Sequence, residues 1–453
     1  MPRVIAETLT AFWGFPRRGS ACIRHRRTVM IGATQRRGNA AMKVSDIDVV
    51  SNRAYSEGVP HELLDRLRQE RPIHYQEIPD ERLHDAAWVL TRHEDVLAVS
   101  KDTENFVNAH GLNLRGNYDD DEDRHLLNLD DPEHLRLRRM TNKGFTPRVV
   151  RRYTEHYHDM AGLLIDQALA GAQTSSTSGA LVFDAVDDLS VPLPLMAICE
   201  LLGTTPDDRD QLVAWSNAII TNDDPDYSPS DEAREQASEE MAAYIRQMYA
   251  DRADNPRDDM ASVLVENVQR GELSPEEYGG YVALLFVAGN ETTRNNISHG
   301  LLQLAKNPGQ YELLKTGEYW DSAVEEMIRW AAPVIYMSRT ATADVEYGGH
   351  QIRKGERVVL HYSAANRDPA VFEDPHEFDI TRDPNPHLSF GFGAHFCLGA
   401  HLARLETRCL LEQLVPRIDS FGLAEPESYV RSSFISGIKR LLLSVRMAEP
   451  AVV

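Results

Sequence analysis

Cysteine is scarce: the 453-residue chain holds four, Cys22, Cys199, Cys397 and Cys409. So few rule out a disulfide framework and suit a reducing, cytoplasmic setting, where a lone cysteine is a buried hydrophobe, a nucleophile or a metal ligand. No Cys-x-x-Cys or His-x-x-x-His spacing occurs, so neither an iron–sulfur centre nor a structural zinc site is encoded. No Gly-x-Gly-x-x-Gly follows a strand-like run, which leaves no flavin or dinucleotide domain. No apolar run approaches the roughly 18 residues of a membrane span, so no membrane anchor is expected. Positive charge is short as well. The 48 Lys and Arg against 70 Asp and Glu leave a net charge of −22, which argues against nucleic-acid binding.

What is present is ordinary for a globular protein, 42% hydrophobic and 26% charged, enough apolar content to bury a core. The charge is uneven. Residues 1–40 hold eight arginines against the single acid Glu7, leaving about −29 on the remainder. No apolar segment of a signal sequence follows the basic residues. Residues 1–42 are therefore expected to be a disordered Arg-rich extension, or to precede the true start at Met30 or Met42. Residues 43–453 are expected to form one domain.

From residue 43 the pattern is mostly helical, with strand-like runs at Ala87–Thr91 and Arg357–His361. Asn117–Arg124, with its acidic run Asp119–Asp123, and Gly171–Gly179 are expected to be surface loops. The fold class is mainly α with small β-sheets. Ser274-Pro275-Glu276-Glu277 combines an N-cap serine, proline at the first helical position and the glutamate of a capping box. Apolar periodicity then runs to Asn307-Pro308, about 33 residues or about 50 Å of helix, long enough to cross a domain. At its centre stands Ala288-Gly289-Asn290-Glu291-Thr292-Thr293. Polar and glycine residues there are costly inside a core, and Tyr281–Val287 beside them is apolar on every face, so the segment is expected to be functional. A second helix is expected from Asp131-Pro132, with His134 and Arg138 on one face, and a third from near Asp321 to before Pro333, carrying Glu326 and Arg329.

Near the carboxy terminus lies Phe390-Gly391-Phe392-Gly393-Ala394-His395-Phe396-Cys397-Leu398-Gly399. Flanking glycines allow tight turns and close approach to a flat ligand. A helical pattern resumes at Ala400–Leu414, placing Cys397 at or just before a helix amino terminus, where the thiolate is favoured. Zinc would need further ligands that are missing. A plain core cysteine suits Cys199 and Cys409, each in an apolar run.

The segment Phe390–Gly399 resembles the haem-binding signature of the cytochrome P450 family. Ala288–Thr293 is similar to its oxygen-binding motif, Glu326/Arg329 to its Glu-x-x-Arg pair, with Arg382 as the completing arginine, and His134/Arg138 to its haem-propionate pair. The resemblance covers about residues 45–446. It implies a haem-thiolate monooxygenase holding haem b, with Cys397 as the axial iron ligand. His134, Arg138, Arg339 and His395 are then propionate ligands, and Phe390, Gly393 and Gly399 shape the haem loop. Dioxygen is the co-substrate. A cysteinate pushes electron density to iron and favours O–O cleavage. The resemblance gives Thr292 a hydrogen bond to the bound oxygen, Glu291 a proton relay, and Gly289, beside Ala288, the clearing of space for O2.

Electrons would come from NAD(P)H through a ferredoxin and its reductase, docking on Arg136, Arg139, Lys143, Arg404 and Arg408. The pocket is expected to be lined by Val287, Val334, Ile335, Met337, Phe434 and Ile435, all apolar, so the substrate is a hydrophobic small molecule. Trp215-Ser216-Asn217, Asn222–Pro225 and Gly289–Asn295 look most like the actinobacterial branch that oxidises sterol side chains and methyl-branched lipids; terpenoids are also taken by relatives. Other chemistries of the family, epoxidation, C–C cleavage or coupling, and a non-catalytic haem sensor are the alternatives. A monomer is expected.

Overall fold

A computed structural model describes residues 43–78, 84–114, 125–221 and 224–448. The expectations for residues 1–42 and for the acidic run Asp119–Asp123 lie outside the described residues, as do Asn222 and Asp223 of the branch-like stretch. The helices that place the site are α1 (His61–Glu70), α2 (His93–Lys101), α3 (Glu133–Thr141), α4 (Thr154–Gly171), α5 (Pro192–Leu202), α6 (Arg209–Ile220), α7 (Asp231–Asp254), α8 (Met260–Gln269), α9 (Pro275–Lys306), α10 (Trp320–Ala331) and α11 (Ala400–Leu414).

Helix α9 begins as its sequence requires. The Ser274 side chain accepts from the Glu277 N–H at 3.1 Å, and the Glu277 carboxylate accepts from the Ser274 N–H at 2.9 Å. The 32 residues span about 48 Å and pack against α5, α6, α7, α10 and α11. Tyr278, Tyr281, Val282, Phe286, Ile297, Leu301 and Leu302 are all buried, each contributing about 1.5–3 kcal/mol of apolar burial. A helix wrapped on all sides shows little amphipathic contrast.

The strands are short: β1 (Ile73–Glu77), β2 (Ala86–Leu90), β3 (Phe106–Val107), β4 (Gln173–Thr174), β5 (Leu181–Asp184), β6 (Tyr336–Ala341), β7 (Arg357–His361), β8 (Ile418–Leu423) and β9 (Leu442–Met447). One sheet runs β1-β2-β7-β6-β3, parallel only between β2 and β7; a second runs β8-β9-β5-β4. In the β6/β7 pair Ser338 faces Val359, Arg339 faces Val358 and Thr340 faces Arg357. Ser338, Thr340 and Arg357 therefore share one face of the sheet, and Met337 and Arg339 the other.

Two local expectations change. Gly171–Gly179 is not wholly loop, because β4 pairs with β5. Asp131-Pro132 does not place proline inside the helix: α3 starts at Glu133, Pro132 is its cap, and the Asp131 carboxylate turns to His134 Nδ1 at 3.2 Å instead of capping.

Candidate active site

Cys397 sits at the end of a loop closed on itself by the Cys397 N–H donating to the Phe390 carbonyl at 2.9 Å. Gly391 and Gly393 have φ of +68° and +78°, conformations that L side chains rarely adopt. A Cβ on Gly393 would also stand 3.0 Å from the Ser100 carbonyl oxygen on α2. Two residues after the cysteine, Gly399 caps α11, and a Cβ there would meet no protein atom within 4 Å; that glycine keeps space open rather than relieving a contact. The Cys397 thiol is accessible. Packed protein around it raises its pKa above the ordinary thiol value, and the Gly399 N–H and the Arg138 and Arg404 guanidinium groups offset only part of that rise.

Four basic side chains from three separate parts of the chain meet beside this loop. His134 and His395 have ring centroids 4.0 Å apart. Burial, followed by His134, Arg339 and Arg138, pushes the His395 pKa down to about 2. Arg138 donates to the Phe396 carbonyl, and Arg339 is buried on β6 with Nη1 on the Ser338 carbonyl at 2.9 Å. His134 Nε2 and His395 Nδ1 are buried with no hydrogen-bond partner. Two guanidinium groups packed beside imidazoles whose buried ring nitrogens lack a partner are a costly arrangement unless an anionic, hydrogen-bonding group sits among them. With an accessible cysteine at the end of a glycine-rich loop, they fit a flat group carrying carboxylates at one edge, as haem b does.

Helix α9 supplies the opposite wall. Leu284, Ala288 and Thr292, at four-residue spacing, are half-buried, whereas Asn290, Glu291 and Thr293 are buried; one stripe of the helix is open. Thr292 Oγ1 donates to the Ala288 carbonyl at 2.7 Å, so its proton is committed to the helix and its oxygen is left to accept. Glu291 pairs with Arg294 at 2.9 Å. Burial raises the Glu291 pKa and Arg294 opposes it. Gly289 has a packing role that the sequence did not indicate. A Cβ there would lie 2.6 Å from Ile198 Cγ1 on α5, so this glycine permits close helix packing.

The expected structural triad is assembled. Glu326 and Arg329 form a bidentate pair at 2.7 Å for both bonds, fully buried, and Arg382 Nε joins at 3.2 Å. Arg329 also holds the carbonyls of Asn366, Pro375 and Glu377. Asn385, which no motif marked, donates to Glu326 at 3.0 Å.

Residues 56–421 match the cytochrome P450 family. The chain belongs to that family. It is similar to a steroid C26-monooxygenase of Mycolicibacterium smegmatis, 40% identical over 408 residues, 87% of this chain and 92% of the relative. A methyl-branched lipid omega-hydroxylase of Mycobacterium bovis is 38% identical over 389 residues, 83% and 88% of the two chains. Among solved structures, a cytochrome P450 of Mycobacterium marinum in complex with pseudoionone superposes with a TM-score of 0.81 at 31% identity, covering 88% of this chain and 98% of that one.

This cytochrome P450 is a haem-thiolate monooxygenase using haem b, dioxygen and electrons from NAD(P)H, acting on a hydrophobic substrate. Among the described residues no helix is long and apolar enough to cross a membrane. Of the pocket residues expected from sequence, Val287, Val334, Met337 and Phe434 are half-buried, but Ile335 and Ile435 are 0% exposed. Those two line no open space: the Ile335 N–H donates to the Phe434 carbonyl at 2.9 Å, and Ile435 bridges Val334. Leu284 belongs to the open stripe and was missed, although its spacing from Ala288 marks it.

The docking patch is also not a row of free cations. Arg136 pairs with Glu277, Arg404 with Glu325, and Arg408 with Glu412 and Asp321. Burial works against ionised Glu325, yet Arg404 and His387 hold its pKa down at about 2. Arg139 is exposed; the side chain of Lys143 lies outside the described set.

Proposed function

We propose that this monooxygenase hydroxylates the terminal region of a sterol side chain or methyl-branched lipid, residues 43–453 acting as one monomeric cytoplasmic domain fed by a ferredoxin and its reductase. The observation that carries the substrate class is the open stripe of α9, where Leu284, Val287 and Ala288 offer apolar surface and only Thr292 and Glu291 add polar chemistry. A long apolar ligand gains about 0.8 kcal/mol per buried methylene on such a wall. The two relatives named above act, by their names, on a steroid at C26 and on a methyl-branched lipid at its omega end. Both reactions place oxygen at the far end of an apolar chain.

Cys397 would ligate the iron, whose charge would favour the thiolate together with the Gly399 N–H, Arg138 and Arg404. His134, Arg138, Arg339 and His395 would hold the two carboxylates, and Phe390, Gly393 and Gly399 give the loop its shape. When bound, haem supplies dioxygen binding and the oxidation itself. The protein's share is orientation and protons. Thr292 Oγ1 accepts at the end of the open stripe while its own proton rests on Ala288 O. Glu291, behind it, takes up and delivers protons, Arg294 keeping its carboxylate from being permanently neutral. Glu326, Arg329 and Arg382 fix the backbone of residues 366–377 behind the cysteine loop.

Two titrations test this. The reduced carbon-monoxide difference spectrum should show the red-shifted band for which the family is named; its absence would remove the Cys397 assignment. Cholest-4-en-3-one and a methyl-branched fatty acid should each convert the ferric spectrum from low to high spin. A terpenoid that does so while both of these fail would overturn the substrate class.

A further inference from the structure

Residues 108–114 form a strap between the head of α3 and β6, the two elements that carry His134, Arg138 and Arg339. Its amino end is held through N–H groups: the Asp130 carboxylate accepts from Asn108 N at 2.9 Å and Ala109 N at 2.8 Å. Its other end is held through carbonyls: the Ser338 hydroxyl lies 3.3 Å from Gly111 O and 3.2 Å from Asn113 O, and one guanidinium spans three of them. Arg357 on β7, 2% exposed, donates from Nη1 to His110 O at 2.9 Å and from Nη2 to Asn113 O at 2.8 Å and to Gly111 O. The same guanidinium reaches the hydroxyls of Ser338 and Thr340. The Ser338 N–H adds a bond to Leu112 O at 2.7 Å, and Leu114 O accepts from His84 N.

A buried guanidinium is costly to place and is retained where its planar fork fixes geometry that no neutral group can. Here the fixed object is backbone in an uncommon conformation, with φ of +70° at His110 and +102° at Gly111. Arg357, Ser338 and Thr340 occupy the sheet face opposite Met337 and Arg339. The strap is thus locked to the back of the strand whose front carries a cation of the haem cradle and a half-buried pocket side chain. Leu112 and Asn113, at the bend, are half-buried.

We propose that Arg357 is a positioning residue for substrate: by holding the carbonyls of residues 110, 111 and 113 it sets where the Leu112–Asn113 bend stands at the rim of the pocket. This rests on the monooxygenase reading of the site. The test uses the holoenzyme with Arg357→Met, which keeps chain length and loses every donor, and Arg357→Lys, which keeps charge and loses the fork. Amide hydrogen exchange at residues 109–113 should speed up in Arg357→Met and less in Arg357→Lys, with the interior of β6 and β7 little changed. Binding of 4-phenylimidazole, which needs room beyond the iron, should weaken relative to imidazole by about tenfold, the equivalent of about 1.4 kcal/mol of lost contact. Exchange that rises throughout β6 and β7 with an unchanged azole ratio would reduce Arg357 to a sheet-stabilising residue and overturn the proposal. Neither azole reports on the natural substrate, so failure of the sterol and lipid titrations leaves this result standing, and loss of the carbon-monoxide band in wild type would sink the site reading alone.

Discussion

Glu291 and Arg294 lie three residues apart on α9, 2.9 Å from one another and both essentially inaccessible. Arg294 extends the pair to a second helix by donating to Asn217 Oδ1 on α6 at 2.8 Å, and it stands over the Tyr227 ring at 5.9 Å. Two opposed influences act on Glu291: burial, which raises its pKa, and Arg294, which lowers it. Removing the guanidinium leaves burial unopposed. Arg294→Met should therefore move the acidic limb of the turnover–pH profile to higher pH, since Glu291 then stays protonated over a wider range and cannot pick up its next proton. Product formation against pH, with a solvent deuterium isotope effect at each point, measures this. A parallel drop at all pH values would mean that Arg294 only holds the helix. Glu291→Gln should instead strand a buried cation, costing about 3–5 kcal/mol of stability.

Thr292 yields a separate prediction because its proton is already spent on Ala288 O at 2.7 Å. Thr292→Ala removes the acceptor at the end of the open stripe without disturbing any other side chain bonded to it. Consumption of NAD(P)H and oxygen should continue while product per reductant falls by about tenfold or more, within the range of a misplaced proton donor or acceptor, and hydrogen peroxide should account for the difference. Thr292→Ser, retaining the hydroxyl, should recover most of the coupling. Unchanged product yield in the alanine variant would remove Thr292 from proton control.

Much of this site was legible in the sequence because its parts violate local rules. Glycines around Cys397 and a carboxylate in the middle of an apolar helix are each costly without a tertiary reason. What escaped has the opposite character. Asn385 and Asn366 join the Glu326 cluster from irregular segments, where no period links them to a partner. Ile335 and Ile435 resemble pocket residues in composition, and only their backbone pairing shows that they are core. The Gly289 side of α9 was undecidable as well, since a helix buried all round does not reveal from sequence which neighbour faces which position.

Glu406 on α11 is a buried carboxyl whose burial raises its pKa well above the ordinary value of 4.5, with one oxygen lacking any hydrogen-bond partner. The native state therefore holds this proton at pH values where the unfolded chain has lost it. Between 4.5 and the raised pKa the native state binds more protons, so the contribution of Glu406 to stability declines as pH rises through that window. Glu406→Gln cannot ionise and escapes the decline. Its melting temperature should exceed wild type at pH 8 and converge with it near pH 4.5, the difference at high pH amounting to about 1.4 kcal/mol for each unit of the shift. Thermal unfolding of both proteins across this range decides it, and an equal difference at both ends would show that the amide acts by packing alone.

Gly289 offers the cleanest separation of two roles. If the glycine served only to open α9, alanine would cost function and add about 1 kcal/mol of helix stability. The geometry predicts the reverse. A Cβ at position 289 lies 2.6 Å from Ile198 Cγ1 and 2.7 Å from its Cδ1, closer than carbon atoms approach, so α5 and α9 must separate or Ile198 must leave its rotamer. Overpacking of this kind costs about 1–3 kcal/mol, and Gly289→Ala should lower stability despite its better helix propensity. Ile198→Ala alone leaves a cavity and should cost about 2–5 kcal/mol. Combined, the two should be less destabilising than their sum by about 0.5–3 kcal/mol, because the new methyl fills the space that the isoleucine vacates. Thermal or denaturant unfolding of the four proteins closes the cycle, with carbon-monoxide spectra confirming that each retains its thiolate-bound haem. Additive costs, together with lost coupling of reductant to product in Gly289→Ala, would return Gly289 to the oxygen-binding role that its motif first suggested.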